Sequence, residues 1–154
     1  ISGGVLGLNQ FPSEYANLRN DPSGIPNMVS EIIRWQTPVL HMRRTLKVDH
    51  EYKGKHMKAG EKVVMWYISG NRDEDAHEAA DRLIIDRPNA RQHVSFGFGV
   101  HRCMGNRLAE MQLKVVWEEI QRRFHMVECV APETRLKSNF IRGIRTLPVR
   151  LHRH

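Results

Sequence analysis

The chain has 154 residues, enough for one domain with a hydrophobic core, and contains no internal repeat or low-complexity tract. Its formal net charge is +7, but Lys and Arg are interleaved with Glu and Asp, which argues against a nucleic-acid-binding surface. Because no apolar run approaches the length of a membrane span and the two cysteines lie far apart, we expect a cytoplasmic protein without a transmembrane segment, signal peptide or disulfide scaffold.

The first half of the chain is predicted to hold three helices, some short strands and an irregular stretch. Proline at positions 12 and 26 suits the first turn of a helix, and Thr37-Pro38 ends the third helix. The helices are predicted over residues 5–10, 12–19 and 26–35, and the strands over residues 43–47, 51–52 and 63–66. Residues 71–90 are polar and irregular, which predicts a meander.

The second half is predicted to hold one long helix and a C-terminal hairpin. Residues 106–123 form a good helix-forming run, and residues 125–151 alternate as strands do. We expect one apolar face of the long helix to be core, formed by Leu108, Met111, Val115, Trp117, Ile120 and Phe124. The fold class is therefore mainly α with small β-sheets (α+β).

The loop over residues 96–105 carries the strongest chemical signal. Cys103 follows a glycine-punctuated stretch and directly precedes the long helix, where unpaired N–H groups and the positive dipole end favour a thiolate. The glycines permit tight turns and close approach of a flat cofactor. Phe96 can shield the sulfur from water, and His101 can reach an anionic group. A cysteine thiolate on haem iron pushes electron density toward O–O cleavage.

This loop resembles the haem-ligand loop of the cytochromes P450. The pattern Phe-x-x-Gly-x-His/Arg-x-Cys-x-Gly is met at Phe96, Gly99, His101, Cys103 and Gly105. The resemblance implies haem b as the cofactor, with Cys103 as the proximal thiolate and only protein ligand of the iron. It also implies that His101 and Arg44 contact the haem propionates, with Arg44 preferred to Arg43.

A second match is Glu31-Ile32-Ile33-Arg34, in the third helix. Residues three apart share a helix face, so Glu31 and Arg34 can form an ion pair, which on a solvated face would contribute little. In the cytochromes P450 such a pair is buried, structural, and joined by a second arginine from the meander. The resemblance assigns that place to Arg82, although the usual proline and phenylalanine neighbours are missing.

The family resemblance also implies that residues 1–154 are a single partial domain, the C-terminal portion of a longer enzyme. N-terminal helices and the oxygen-activation motif would lie outside it, so we do not expect the fragment to be active alone. The stretches over residues 32–45 and 101–110 resemble bacterial alkane terminal hydroxylases. The implied function is insertion of one oxygen atom from O2 into an unactivated C–H bond, at the terminal carbon of medium-chain alkanes or fatty acids.

Substrate and partner residues follow from the same resemblance. The implied electron donor is a [2Fe–2S] ferredoxin with an NADH-dependent ferredoxin reductase, and no nucleic acid or membrane span is expected. The residues expected to dock the donor are Arg102, Arg107 and Lys114. Those expected against a small apolar substrate are Val39, Leu40, His41, Phe140 and Ile141, four of them apolar as an alkyl pocket requires.

Other functions remain open from the sequence. Sterol-side-chain or branched-lipid hydroxylation is the nearest alternative within the family. A haem-based sensor or binding domain would share Cys103 without requiring the Glu31–Arg34 pair. A zinc site formed by His93, His101 and Cys103 would lack a fourth ligand. The last alternative is a docking module for an electron carrier, with no chemistry of its own.

Overall fold

The structure, a computed structural model, describes residues 1–154 and contains five helices that carry most of the core. The helices are α1 (Ser2–Gln10), α2 (Pro12–Asn20), α3 (Ile25–Gln36), α4 (Tyr67–Asn71) and α5 (Asn106–Arg123). Three single 3-10 turns lie at Pro22–Gly24, Ala90–Gln92 and Gly99–His101. None of the helices combines the length and the apolar character that crossing a bilayer requires. The predicted helices are present, and α5 has the predicted bounds.

Eight short strands form four separate two-stranded antiparallel sheets, so the mainly helical prediction with small sheets is confirmed. The first pair places Arg44 opposite Val63, and the second is a hairpin whose turn has positive φ at Lys53 and Gly54. The strands are β1 (His41–Thr45), β2 (His50–Tyr52), β3 (Lys55–Met57), β4 (Lys62–Trp66), β5 (Phe124–Cys129), β6 (Thr134–Arg135), β7 (Ile144–Thr146) and β8 (Val149–Arg153). They pair as β1–β4, β2–β3, β5–β8 and β6–β7.

The core forms where α1, α3 and α5 meet. Helix α1 packs so closely on α3 and α5 that a Cβ added at Gly4 would lie 2.6 Å from Ile32 Cδ1 and 2.7 Å from Trp117 Cζ2. Ten of the twelve residues of α3 are buried, so this helix is the centre of the fold. Asn9 connects α1 to β5 by donating to the Val127 carbonyl and accepting from the Cys129 N–H.

The predicted core face of α5 is only partly core. Trp117 is fully buried, but Leu108, Met111 and Val115 are 54%, 56% and 51% exposed. Leu108 and Trp117 are nine residues apart, about 2.5 helical turns, and therefore point to opposite sides of the helix. The prediction assigned residues from two sides of α5 to one core face. Only the side that carries Trp117 packs against the hydrophobic cluster around α3.

Candidate active site

A buried ion pair lies near the C-terminal end of α3. Glu31 and Arg34 are both fully buried, and the guanidinium binds the carboxylate at two points, Nε–Oε2 at 2.7 Å and Nη2–Oε1 at 2.8 Å. The remaining Arg34 donors bind the carbonyls of Asn71 (2.6 Å), Ala80 (2.8 Å) and Arg82 (2.8 Å). A buried charge needs such partners because its desolvation is costly. The pair therefore fixes the meander onto α3.

The second arginine of this cluster is Arg87, and the assignment to Arg82 was wrong. Arg87 Nε lies 3.1 Å from both Glu31 carboxylate oxygens, and its side chain is buried. Arg82 is exposed, with its guanidinium over the Phe11 ring, and it contributes only its carbonyl to Arg34 and Arg87. Leu83, Ile85 and Arg87 are buried, whereas Arg82 and Asp86 are exposed. The sequence of this segment does not alternate in polarity, so only the fold distinguishes the two arginines.

Asn71 is a further buried group that sequence reasoning missed. It is fully buried at the end of α4, and its amide contacts both the end of α3 and the start of the cysteine loop. Nothing in the polar stretch around it marks this residue, because its partners are more than 20 positions away in the chain. Its role is to join segments that only the fold brings together.

The cysteine loop is held by its own backbone. Gly97 and Gly99 have φ of +71° and +73°, the left-handed region that side chains rarely adopt. The Cys103 N–H donates to the Phe96 carbonyl at 2.8 Å, which closes the loop. Cys103 is a free, exposed thiol, and Gly105 is the N-cap of α5. The predicted position of the cysteine just before the helix is therefore what the structure has.

A cavity of about 440 Å³ adjoins this loop and is lined mainly by apolar groups. Its polar members include Cys103, His101 and Arg44, and its apolar ones include Phe96 and Val39. Arg44 is half-buried and Arg43 is exposed, which agrees with the preference for Arg44. A thiol and two cation-forming side chains around an apolar space suit a flat apolar group that carries a metal and carboxylates. The residues present therefore fit a haem.

Tyr67 also lines this cavity, although sequence reasoning did not select it. Its side chain is buried, and a Cβ added at Gly97 would lie 3.1 Å from the Tyr67 hydroxyl oxygen. Any residue other than glycine would press on this ring, in addition to the strain of its positive φ. Gly97 is thus required both by the turn and by the cavity wall.

Two buried histidines lie beside the site without serving as metal ligands. Burial, and then the nearby Arg102, lowers the pKa of His93 to about 4, and burial also lowers the pKa of His77. The His93 ring packs against Phe96 with 5.4 Å between ring centroids, and its Nδ1 has no hydrogen-bond partner. No three His, Cys, Asp or Glu side chains are placed to hold a metal ion, so the zinc alternative is wrong.

The five predicted substrate residues come together on two adjoining segments. Val39 forms a β-bridge with Ile141, and the Leu40 N–H donates to the Phe140 carbonyl at 2.9 Å. The His41 ring lies 5.7 Å from the Phe140 ring. Only Val39 among the five lines the cavity beside Cys103. The other four do not line that cavity, and Phe140 is 39% exposed.

The predicted docking residues all lie on the surface. Arg102 is exposed next to Cys103, and Arg107 is exposed in the first turn of α5. Lys114 is exposed and forms an ion pair with Glu118 at 3.6 Å. Arg102 and Arg107 therefore carry unneutralised positive charge close to the cysteine loop, whereas that of Lys114 is partly balanced.

Comparison with known proteins identifies the family. The chain belongs to the cytochrome P450 family, since the family model for cytochrome P450 matches residues 25–151. It is 44% identical over 149 residues to the linalool 8-monooxygenase of Pseudomonas putida. It is 42% identical over 152 residues to the methyl-branched lipid omega-hydroxylase of Mycobacterium bovis.

Solved structures agree over nearly the whole chain. Cytochrome P450-153 from Novosphingobium aromaticivorans is 51% identical, with a TM-score of 0.94 over 98% of this chain and 38% of that one. CYP153D17 from Sphingomonas sp. PAMC 26605 is 53% identical, with a TM-score of 0.95 over 99% of this chain and 38% of that one. The two curated relatives are covered over 97% of this chain but only 36% and 35% of their own length. The architecture described here is therefore an incomplete cytochrome P450 fold.

Proposed function

We propose that this chain supplies the haem-binding part of a haem-thiolate monooxygenase, with residues 1–154 forming part of one larger domain. The observation that carries the proposal is that Cys103, His101 and Arg44 line the same mainly apolar cavity. When bound, haem b supplies the chemistry that inserts one oxygen atom from O2 into a C–H bond. Its expected location is the cytoplasm, where free thiols such as Cys103 and Cys129 persist.

Each residue around the cavity has a separate task in this proposal. Cys103 holds the iron as its only protein ligand, and Gly99 and Gly105 let the backbone approach the cofactor. Phe96 keeps water from the sulfur. His101 and Arg44 donate charge-assisted hydrogen bonds to the two propionates, which would otherwise be unpaired carboxylates. The cluster of Glu31, Arg34 and Arg87 does no chemistry and holds the surrounding backbone.

The substrate proposed is a medium-chain alkane or fatty acid, hydroxylated at the terminal carbon. Support comes from the apolar wall at Val39, its bridge to Ile141, and the resemblance of residues 32–45 to alkane terminal hydroxylases. Sterol-side-chain or branched-lipid hydroxylation is the second candidate. A relative whose name describes methyl-branched lipid omega-hydroxylation supports it.

Electrons are proposed to come from a [2Fe–2S] ferredoxin that an NADH-dependent reductase keeps reduced. The exposed charges of Arg102 and Arg107, with Lys114 further along α5, would meet an acidic donor. A haem-based sensor is the alternative of another class. It would bind haem through Cys103 but would release no hydroxylated product.

The test is a reconstitution of the complete haem-loaded enzyme, of which this chain would be a part, with ferredoxin, reductase and NADH. The reduced carbon monoxide complex should show the red-shifted Soret band of a haem thiolate. Cys103→His should abolish both the band and hydroxylation, whereas the matched variant Cys129→Ser should keep both. Retention of both in Cys103→His would refute the iron assignment. A normal band without any product would favour the sensor.

The substrate class is tested with linear alkanes and fatty acids against sterols and branched lipids. Terminal alcohols from the linear substrates are expected. Larger side chains at Leu40 or Phe140 should shift chain-length or positional preference without loss of haem. An unchanged product distribution across several such variants would refute their place in the pocket.

A further inference from the structure

The Asn71 side chain makes three hydrogen bonds in a region without solvent. Its Oδ1 accepts from the Val94 N–H at 2.8 Å, and its Nδ2 donates to Ser95 Oγ at 2.7 Å and to Thr37 Oγ1 at 2.9 Å. Its backbone carbonyl accepts from Arg34 Nη1 at 2.6 Å. The residue therefore links the ion-pair cluster, the end of α3 and the segment that leads into the cysteine loop.

The directions of these bonds are fixed by the neighbouring hydroxyls. Ser95 Oγ donates to the Ile33 carbonyl at 2.8 Å, and Thr37 Oγ1 donates to the Arg34 carbonyl at 2.5 Å. Each hydroxyl has one proton, so both must accept from Asn71. Only an amide at this position can donate to two hydroxyls and accept from a backbone N–H at once. Its amide orientation is thereby determined.

The contacts continue from Asn71 to the cysteine. The Val94 N–H is held by Asn71, and the Val94 carbonyl accepts from the Gly97 N–H at 2.8 Å. Ser95 is held by the same amide, and the carbonyl of the next residue, Phe96, accepts from the Cys103 N–H at 2.8 Å. The Asn71 side chain thus fixes Val94 and Ser95, the two residues from which the backbone that positions Cys103 begins.

From this geometry we propose that Asn71 is a positioning residue for the iron ligand: by fixing Val94 and Ser95 it sets where the Cys103 sulfur lies relative to the haem. The inference rests on the proposed haem-thiolate function. A metal ligand needs its supporting residues to hold it within about 0.5 Å of the productive geometry. Loosening the segment should favour a displaced or protonated sulfur over the iron-bound thiolate.

The experiment compares two bonds made by the same Nδ2 group. In the haem-loaded protein, Ser95→Ala removes the bond toward the loop, and Thr37→Ala removes the bond toward α3. Asn71→Ala removes both, together with the bond to Val94. Asn89→Ala is the control for an asparagine in the meander, whose Nδ2 donates to the Ala76 carbonyl and makes no contact with the cysteine loop in the hydrogen bonds of the structure. The readouts are the ratio of the two Soret bands of the reduced carbon monoxide complex and the haem reduction potential.

Asn71→Ala and Ser95→Ala should increase the shorter-wavelength band, which lacks the thiolate, relative to the red-shifted one. The expected increase is about fivefold, corresponding to one net hydrogen bond. The reduction potential should shift in the same two variants. Thr37→Ala and Asn89→Ala should lower thermal stability but keep the wild-type band ratio and potential.

Equal band ratios in all four variants, with only thermal stability lowered, would overturn the proposal and leave Asn71 a structural residue. If Asn71→Ala does not fold, the comparison of Ser95→Ala with Thr37→Ala decides, because each removes one bond to the Asn71 amide and one to a carbonyl of α3 and leaves Asn71 in place. Should the wild-type protein itself lack the red-shifted band, the proposed function fails and this inference falls with it.

Discussion

Arg87 and Glu31 meet across 56 positions of the chain, with the Arg87 Nε equidistant, at 3.1 Å, from the two carboxylate oxygens. One carboxylate therefore receives two guanidinium groups, because Arg34 binds it as well. Glu31 also accepts from the Ile84 N–H at 3.0 Å. The Glu31 side chain on α3 therefore fixes the meander at two points, Ile84 and Arg87.

Removing that side chain should be strongly destabilising. Glu31→Ala leaves two buried guanidinium groups without their anion, and we expect a loss of about 3–5 kcal/mol in the free energy of unfolding. Urea unfolding and the yield of haem-loaded protein measure it. The control is Glu119→Ala, which removes exposed pairs with Arg122 and Arg123 and should change little. Normal yield with merely slower turnover in Glu31→Ala would contradict the structural role.

Replacement of Arg87 should lower the free energy of unfolding far more than replacement of Arg82. Arg87→Leu leaves the carboxylate with one guanidinium partner, so we expect the free energy of unfolding to fall by about 3 kcal/mol. Arg82→Leu should have little effect, since its side chain is exposed and its carbonyl, which does the binding, is retained. Thermal unfolding of both variants decides the matter. The reverse order would restore the assignment to Arg82.

Haem retention should depend on Arg44 more than on Arg43. Arg44 lines the cavity, so Arg44→Leu should leave one propionate unpaired and speed the loss of haem to an acceptor protein. Arg43→Leu, its neighbour on the same strand, is the matched control and should release haem at the wild-type rate. Faster loss from Arg43→Leu than from Arg44→Leu would reassign the propionate contact.

Acid should destabilise the protein partly through His93. Its pKa is lowered from 6.5 to about 4 in the folded state, so the unfolded chain takes up a proton first as the pH falls. This contribution to stability is intact above pH 6.5 and is lost between pH 6.5 and about 4, by at most about 3 kcal/mol. His93→Leu should flatten the pH dependence of unfolding in that range, and His50→Leu, in the exposed hairpin, should not. Identical slopes in both would contradict the prediction.

Reduction by the ferredoxin should slow as salt is added, because complementary charge mainly accelerates association and is screened over about 8–10 Å. Arg107→Glu with Lys114→Glu should slow it further while substrate binding is retained. Arg150→Glu, an exposed reversal on β8, is the control. Stopped-flow reduction at several ionic strengths measures the effect. Rates indifferent to both salt and reversal would place the docking face elsewhere.

Local sequence signals predicted the parts of the site that lie on contiguous residues. The loop around Cys103 and the helix that follows it are encoded by glycine spacing and helix propensity within 28 residues, and both were predicted correctly. The Glu31–Arg34 pair follows in the same way from its i, i+3 spacing. None of these predictions requires knowledge of the tertiary packing.

The parts that were missed depend on tertiary packing. Asn71 is polar and begins the stretch that the sequence predicts to be irregular, and only the convergence of α3 with the cysteine loop gives it partners. The sequence does not distinguish Arg87 from Arg82, because the contact between Arg87 and Glu31 spans 56 positions and depends on the turn that residues 84–87 make. Hydrophobicity predicts Leu108, Met111 and Val115 as core, but nothing within these 154 residues packs against that side of α5.

The glycines of α1 have a consequence for how this helix is maintained. Gly3, Gly4 and Gly7 give it close contact with α3, but each glycine lowers intrinsic helix stability by about 1 kcal/mol relative to alanine. Helix α1 therefore depends on its contacts with α3, and loosening α3 should raise the amide hydrogen exchange of α1. A variant that disrupts the ion-pair cluster would then raise hydrogen exchange in α1 as well as in the meander.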